Sequence, residues 1–247
     1  MRAEKSTSTL PWLSVFLFAS LWMLSAQADE PEQHNGVDKV YLPYVLPLER
    51  ELEIRTIYQQ DGRDSRDGLM RVRTGLGRSL SESLFVEVYL ITKKEPQGNT
   101  SLEGYELETR LQLTEQGEFW ADWGLLFEFE RERSESITEL SSTVLIAREW
   151  GRWTSALNLG IEYEFGSDIE NEFETALAMQ WRYRFREYLE PAVELYVDEI
   201  TSALGPVATG LIRTSGQKKL HWETGVLFPL NDRTPDITLR FLIEYEF

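Results

Sequence analysis

The sequence predicts an all-β fold, one closed antiparallel transmembrane barrel of about twelve strands over residues 48–247. Three observations predict it. Apolar and polar residues alternate with period two in segments of roughly ten residues along almost the whole chain, the length a tilted spanning strand needs. The segments are even in number, so both ends of the barrel chain lie on one side. The start reads as an export signal, and no helical period of useful length follows it.

Arg2 and Lys5 form a short basic region, Leu10 to Leu24 is apolar, and Ala26-Gln27-Ala28 is a small-x-small cleavage site. Residues 1–28 therefore read as a signal peptide, with Asp29 as the mature N-terminus. The apolar run is short for a membrane helix, and no later run is longer. The absence of cysteine excludes disulfides and thiolate metal sites, and a net charge of −17 argues against nucleic acid as a partner. The composition, 42% hydrophobic and 27% charged, suits a soluble β-sandwich or lipocalin-like barrel as well as a membrane barrel, so periodicity decides.

Residues 29–47 form a Pro-containing lead, expected in the periplasm, in which Pro31, Pro43 and Pro47 forbid a regular element. Val40 to Leu46 is apolar with two tyrosines. Two readings stand: it packs on the barrel rim or enters its mouth, or it is a loose tail.

The alternating segments then follow in order. In the first, Leu52, Ile54, Thr56 and Tyr58 oppose Glu49, Glu51, Glu53 and Arg55, starting from Leu48. In the second, Met70 to Leu76 oppose Arg71, Arg73, Gly75 and Gly77. In the third, Leu84 to Leu90 oppose Phe85, Glu87 and Tyr89, and Lys93 to Gly104 is the longest loop. The fourth sets Tyr105 to Leu113 against Glu106, Glu108, Arg110 and Gln112. The fifth sets Phe119 to Phe129 against Asp122, Gly124, Glu128 and Glu130. The sixth, with Leu140, Val144 and Ile146 outward, is the weakest.

The seventh sets Trp153 to Phe165 against Thr154, Asn158, Gly160, Glu162 and Glu164, and the eighth sets Phe173 to Phe185 against Glu174, Ala176, Gln180, Arg182 and Arg184. In the ninth, Val193, Leu195 and Val197 oppose Glu194, Tyr196 and Asp198. Val207 to Arg213 is a strand whose facing stays open. The eleventh sets Leu220 to Phe228 against His221, Glu223 and Gly225. In the last, Ile237 to Phe247 oppose Asp236, Thr238, Arg240, Leu242, Glu244 and Glu246. Connections after odd segments read as longer than those after even ones, the asymmetry of outer loops and periplasmic turns. Aromatics gather at both segment ends, with Trp120, Trp123, Trp150, Trp153 and Trp222 at the tight-turn end, as two bilayer interfaces select.

Ending on apolar alternation with Tyr245 and Phe247, the chain resembles bacterial outer-membrane barrels, in which a terminal Phe marks the signal read by the barrel-assembly machinery. The texts V-Y-L-P-Y-V-L-P-L-E-R-E-L-E, L-T-E-Q-G-E-F-W-A-D-W-G-L-L and L-I-E-Y-E-F resemble uncharacterised proteobacterial outer-membrane barrel proteins, which implies a porin-like fold in a Gram-negative outer membrane but no activity.

If the apolar face meets outer-membrane lipid, the other face lines a lumen rich in carboxylates: Glu51, Glu53, Glu87, Glu106, Glu108, Glu128, Glu130, Glu162, Glu164, Glu174, Glu194, Glu223, Glu244 and Glu246. Arg71, Arg73, Arg110, Arg182, Arg184 and Arg240 share it, and Glu–Arg ladders between neighbouring strands are expected. The functional expectation is a narrow cation-preferring passage for small hydrophilic solutes. The alternative is a non-transporting surface or assembly barrel whose lumen these pairs fill. An enzyme is disfavoured. The outer-membrane phospholipase family is similar in strand number, but its motif has Ser two residues after the catalytic His, and here Glu223 follows His221. The other histidine, His34, lies in the lead. No calcium-loop motif occurs, Asp61-Gly62-Arg63-Asp64 being the nearest, and neither metal nor cofactor is expected.

Overall fold

The computed structural model describes residues 36–63, 67–96, 98–133, 136–167 and 169–247. The expected signal peptide, His34 and the first part of the lead lie outside them. The described residues form twelve strands: β1 (Arg50–Gln60), β2 (Leu69–Ser79), β3 (Leu84–Lys94), β4 (Thr100–Gln112), β5 (Asp122–Glu132), β6 (Thr138–Trp150), β7 (Trp153–Phe165), β8 (Glu172–Tyr183), β9 (Glu190–Val197), β10 (Ser202–Arg213), β11 (Lys219–Pro229) and β12 (Ile237–Glu246). Each pairs antiparallel with its sequence neighbours, and β1 pairs with β12 from Glu51↔Glu246 to Gln60↔Ile237, closing the barrel. Closure satisfies the strand backbone internally, which is what allows β-structure in lipid.

Period two sorts the side chains as expected. On β1, Glu51, Glu53 and Arg55 are buried, whereas Leu52, Ile54 and Tyr58 are exposed. The same alternation buries Phe85, Glu87 and Tyr89 on β3 and exposes Val88 and Leu90. β10, left open by the sequence, turns Ala203, Val207 and Thr209 inward. Outward aromatics meet in pairs near both rims. Trp153 lies 5.6 Å from Trp181 and 4.9 Å from Tyr183 at one, and Tyr163 lies 4.6 Å from Phe173 at the other. The exterior is therefore an apolar belt edged by aromatics, the surface a bilayer requires.

Several boundaries differ from expectation, among them β10, which starts at Ser202 rather than Val207, and β5, which starts at Asp122 rather than Phe119. β1 starts at Arg50 rather than Leu48, because Leu48 takes φ 64° in the turn out of the lead. β3 and β4 run on to Lys94 and back from Thr100, with a register shift at Ile91/Thr92, so the expected long loop 93–104 shrinks to 95–99. The asymmetry of connection lengths is consequently absent: 113–121, after even-numbered β4, is as extended as 61–68 after β1. We call the rim carrying residue 247 and the start of β1 the terminal rim, and the opposite one the distal rim.

Candidate functional site: a plugged acidic lumen

The lumen is threaded by the lead. Gly36 sits at the distal rim, where an added Cβ would collide with the Asp198 carboxylate and approach Thr201. Leu46 sits at the terminal rim, where its carbonyl accepts a 2.5 Å hydrogen bond from the Ser79 hydroxyl. The residues between run extended through the barrel, and a dozen extended residues span roughly 35 Å, enough to cross a bilayer's hydrocarbon core. Of the two readings of this segment, entry into the barrel is the one observed.

An extended segment with no strand partner must find other partners for its backbone groups. The barrel wall supplies them from side chains. Asn158 on β7 accepts from the Tyr41 N–H at 2.7 Å and donates to the Tyr41 carbonyl at 2.9 Å, imitating a ladder pair. Gln112 on β4 accepts from the Val45 N–H at 2.7 Å. The Asp38 carbonyl accepts from Arg240 at 2.7 Å and from the Tyr196 hydroxyl at 2.5 Å.

Side chains of the lead are held as closely. Asp38 pairs with Arg55 and, at 3.3 Å, with Arg73. Lys39 donates to Glu53 at 2.5 Å, the Tyr41 hydroxyl to Glu108 at 2.5 Å and the Tyr44 hydroxyl to Asp122 at 2.7 Å. Val37 and Val40 pack with Ala156, Tyr196, Ala203 and Leu227, and Tyr41 packs with Leu126 and Leu145. Gly124 on β5 is glycine for this reason: a Cβ there would lie 2.8 Å from Pro43 Cβ.

The charged residues anticipated for the inner face fall into groups. Arg73 pairs with Glu106 at 2.9 Å and Glu130 at 3.2 Å, and Arg71 with Glu103 at 2.6 Å and with Glu130. Arg240 pairs with Glu194 and Glu223, both at 2.8 Å. Lys219 holds Glu246 at 2.5 Å, and Arg182 lies 3.3 Å from Glu190. Arg110 stacks over Phe85 at 4.9 Å. Arg184 follows β8 and pairs with Glu149 at 2.9 Å, a rim contact rather than part of the lumen cluster. Glu128 takes the Ser141 hydroxyl at 2.5 Å.

The expected pairs between neighbouring strands form only in part, as Arg240 of β12 with Glu223 of β11 and Arg182 of β8 with Glu190 of β9. In register, Glu87 faces Glu108, Glu108 faces Glu128, Glu106 faces Glu130 and Glu162 faces Glu174. Like charges directly opposite are unfavourable. The long guanidinium side chains relieve this by reaching past a strand, from β2 to β4 and β5, and through Asp38 of the lead. Sequence alternation identifies which residues face inward but not which partner a long side chain chooses.

His221 lies 2.7 Å from the Thr209 hydroxyl, 3.5 Å from Glu223 and 3.9 Å from Glu244. A hydroxyl thus does stand beside the histidine, on a neighbouring strand where no sequence motif reports it. Thr209 is only 1% exposed and the ring stands between this hydroxyl and two carboxylates, so the geometry is that of a lumen polar cluster. At the C-terminus the Tyr245 and Phe247 rings stack at 5.9 Å, with Phe247 exposed at the terminal rim.

No protein-family model matches the chain, and no curated protein sequence does. Solved structures do. The chain is similar to the KdgM porin in complex with disordered oligogalacturonate (TM-score 0.51, 11% identity, covering 80% of this chain and 98% of that one). It is also similar to the NanC porin (TM-score 0.52, 10% identity, covering 79% of this chain and 98% of that one). The closed antiparallel barrel and its lipid-facing belt define the class: this is an outer-membrane β-barrel with a porin-like fold.

Proposed function

We propose that the protein is an outer-membrane passage for small hydrophilic solutes that prefers cations, and that its own lead segment closes it. The observation that carries this reading is the combination of an acid-rich wall with an occupant that no strand ladder holds. The lead is attached by ion pairs and side-chain hydrogen bonds rather than by a strand ladder. A wall with an excess of carboxylates concentrates cations, most strongly at low salt. The KdgM porin's oligogalacturonate is consistent with passage through such a fold; the acidic wall here argues for solutes of the opposite charge.

In planar bilayers the full chain should conduct little, and deletion of residues 37–45 should raise conductance with a reversal potential favouring cations at low salt. Glu106 and Glu108 are buried, whereas Glu162 and Glu164 on β7 are half-buried, so the selectivity test falls on the second pair. Their joint replacement by Gln should weaken the preference. Zero conductance after deletion would favour the second reading, a non-transporting barrel whose plug is permanent, a reading the buried packing of Val37, Val40 and Tyr41 supports. An anion preference would overturn the assignment.

The assembly machinery is the other partner in this reading. Phe247→Asp should reduce heat-modifiable barrel in outer-membrane fractions far more than Leu239→Ala on the same exposed face. Equal yields would make the C-terminal aromatic incidental.

A further inference from the structure

A group of carboxylates on β1 and β3 is placed in a way that ordinary ion pairing does not explain. Glu51, Glu53 and Glu87 each bring an oxygen within 4.8 Å of the others. They are 2%, 0% and 1% exposed. β1 and β3 are not adjacent; β2 runs between them. In register, Gly77 lies between Glu51 and Glu87, and Gly75 between Glu53 and Tyr89. Two glycines therefore leave the inner face of β2 bare where the carboxylates converge. A Cβ at position 75 would lie 2.4 Å from Glu87 Oε1, and one at position 77 would lie 3.0 Å from Glu51 Cγ.

Partners are present for only part of this charge. Glu53 has Arg55 at 2.8 Å and Lys39 at 2.5 Å. Glu87 Oε1 is buried and has no hydrogen-bond partner. Buried carboxylate oxygens in mutual contact require a shared proton or a positive centre between them. The donor set is all oxygen and anionic, which selects a hard divalent ion that accepts carboxylates and completes its shell with water.

We infer that Glu51, Glu53 and Glu87 form a divalent-cation site of the calcium class, and that Lys39 of the lead competes for it. The ammonium already occupies Glu53 as a tethered cation. An ion bound by all three carboxylates draws Glu53 away from Lys39 and so loosens the lead. Coupling is reciprocal: whatever factor the lead removes from ion affinity, the ion removes from lead binding. The site does not depend on the lumen conducting, so it stands or falls separately from the passage reading.

The test uses the full barrel in detergent, freed of divalent ions and titrated with calcium chloride alone by calorimetry at pH 7.5. One binding event is expected. Glu87→Gln, nearly isosteric, should weaken it by about tenfold or more, and Lys39→Met should strengthen it by a similar factor. Both variants are checked for folding by gel migration before and after boiling. Terbium gives a second readout, because Tyr89 borders the site and sensitises its luminescence; Tyr89→Phe removes the signal without removing a carboxylate. Calcium should also speed proteolysis of the lead in the wild type. No calcium binding, or equal binding by wild type and Glu87→Gln, would overturn the site and leave a shared proton between the carboxylates. An unchanged affinity in Lys39→Met would overturn the competition.

Discussion

Arg240→Met should lower the stability of the folded barrel by about 3–5 kcal/mol, the cost of breaking a buried ion pair from one side. Arg240 is 1% exposed and donates to Glu194, Glu223, the Tyr196 hydroxyl and the Asp38 carbonyl. Methionine fills a similar volume but supplies no donor. Two buried carboxylates then lose their cation, with Gln180 and Tyr196 left to Glu194 and Tyr196 left to the Asp38 carbonyl, and the carboxylates stand close to each other. Urea unfolding in micelles, followed by tryptophan fluorescence, measures the loss. Adding Glu223→Gln to Arg240→Met should recover part of it, because the repulsion goes while the polar contacts remain broken. A loss well under about 1 kcal/mol would mean that water already solvates these groups as well as Arg240 does.

Asn158→Leu should release the lead. Leucine keeps the volume and apolar packing but offers nothing to the Tyr41 N–H and carbonyl, which Asn158 now satisfies at 2.7 and 2.9 Å. An unmet buried backbone group costs about 1–3 kcal/mol, so two of them shift occupancy of the lumen by a factor on the order of a hundred. The expected results are faster cleavage of residues 36–47 by added protease and more frequent opening in bilayer recordings, with unfolding in urea changed far less than by Arg240→Met. Unaltered protection would mean that the ion pairs of Asp38 and Lys39 hold the lead without the Asn158 pair.

The barrel was legible because strand periodicity is local. Residues two apart share a face whatever the rest of the chain does, so Glu51 and Glu53, or Glu162 and Glu164, could be placed without knowing their neighbours. What could not be read was long-range choice. Tyr41 meets Asn158 across 117 residues, and Arg71 passes over two strands to reach Glu130. Gly75, Gly77 and Gly124 read as ordinary strand glycines. Their meaning, room for two carboxylates and for Pro43, exists only once the barrel has closed. The lead was the least legible part. Its prolines rule out a regular element, and a segment that borrows polar partners from seven strands carries no period of its own.

Asp38 has one further consequence, for the order in which the molecule is put together. Its carboxylate is held by Arg55 of β1 and its carbonyl by Arg240 of β12, and these are the two strands whose pairing completes the cylinder. The residue thus works as a clasp across the final joint, fastened from the inside. The lead precedes β1 and doubles back on it through Leu48, so it lies inside the cylinder that the first and last strands close. A barrel built this way packs its interior as it shuts, and a chain shortened by residues 36–47 should still close but should do so more slowly and reopen more readily at that joint.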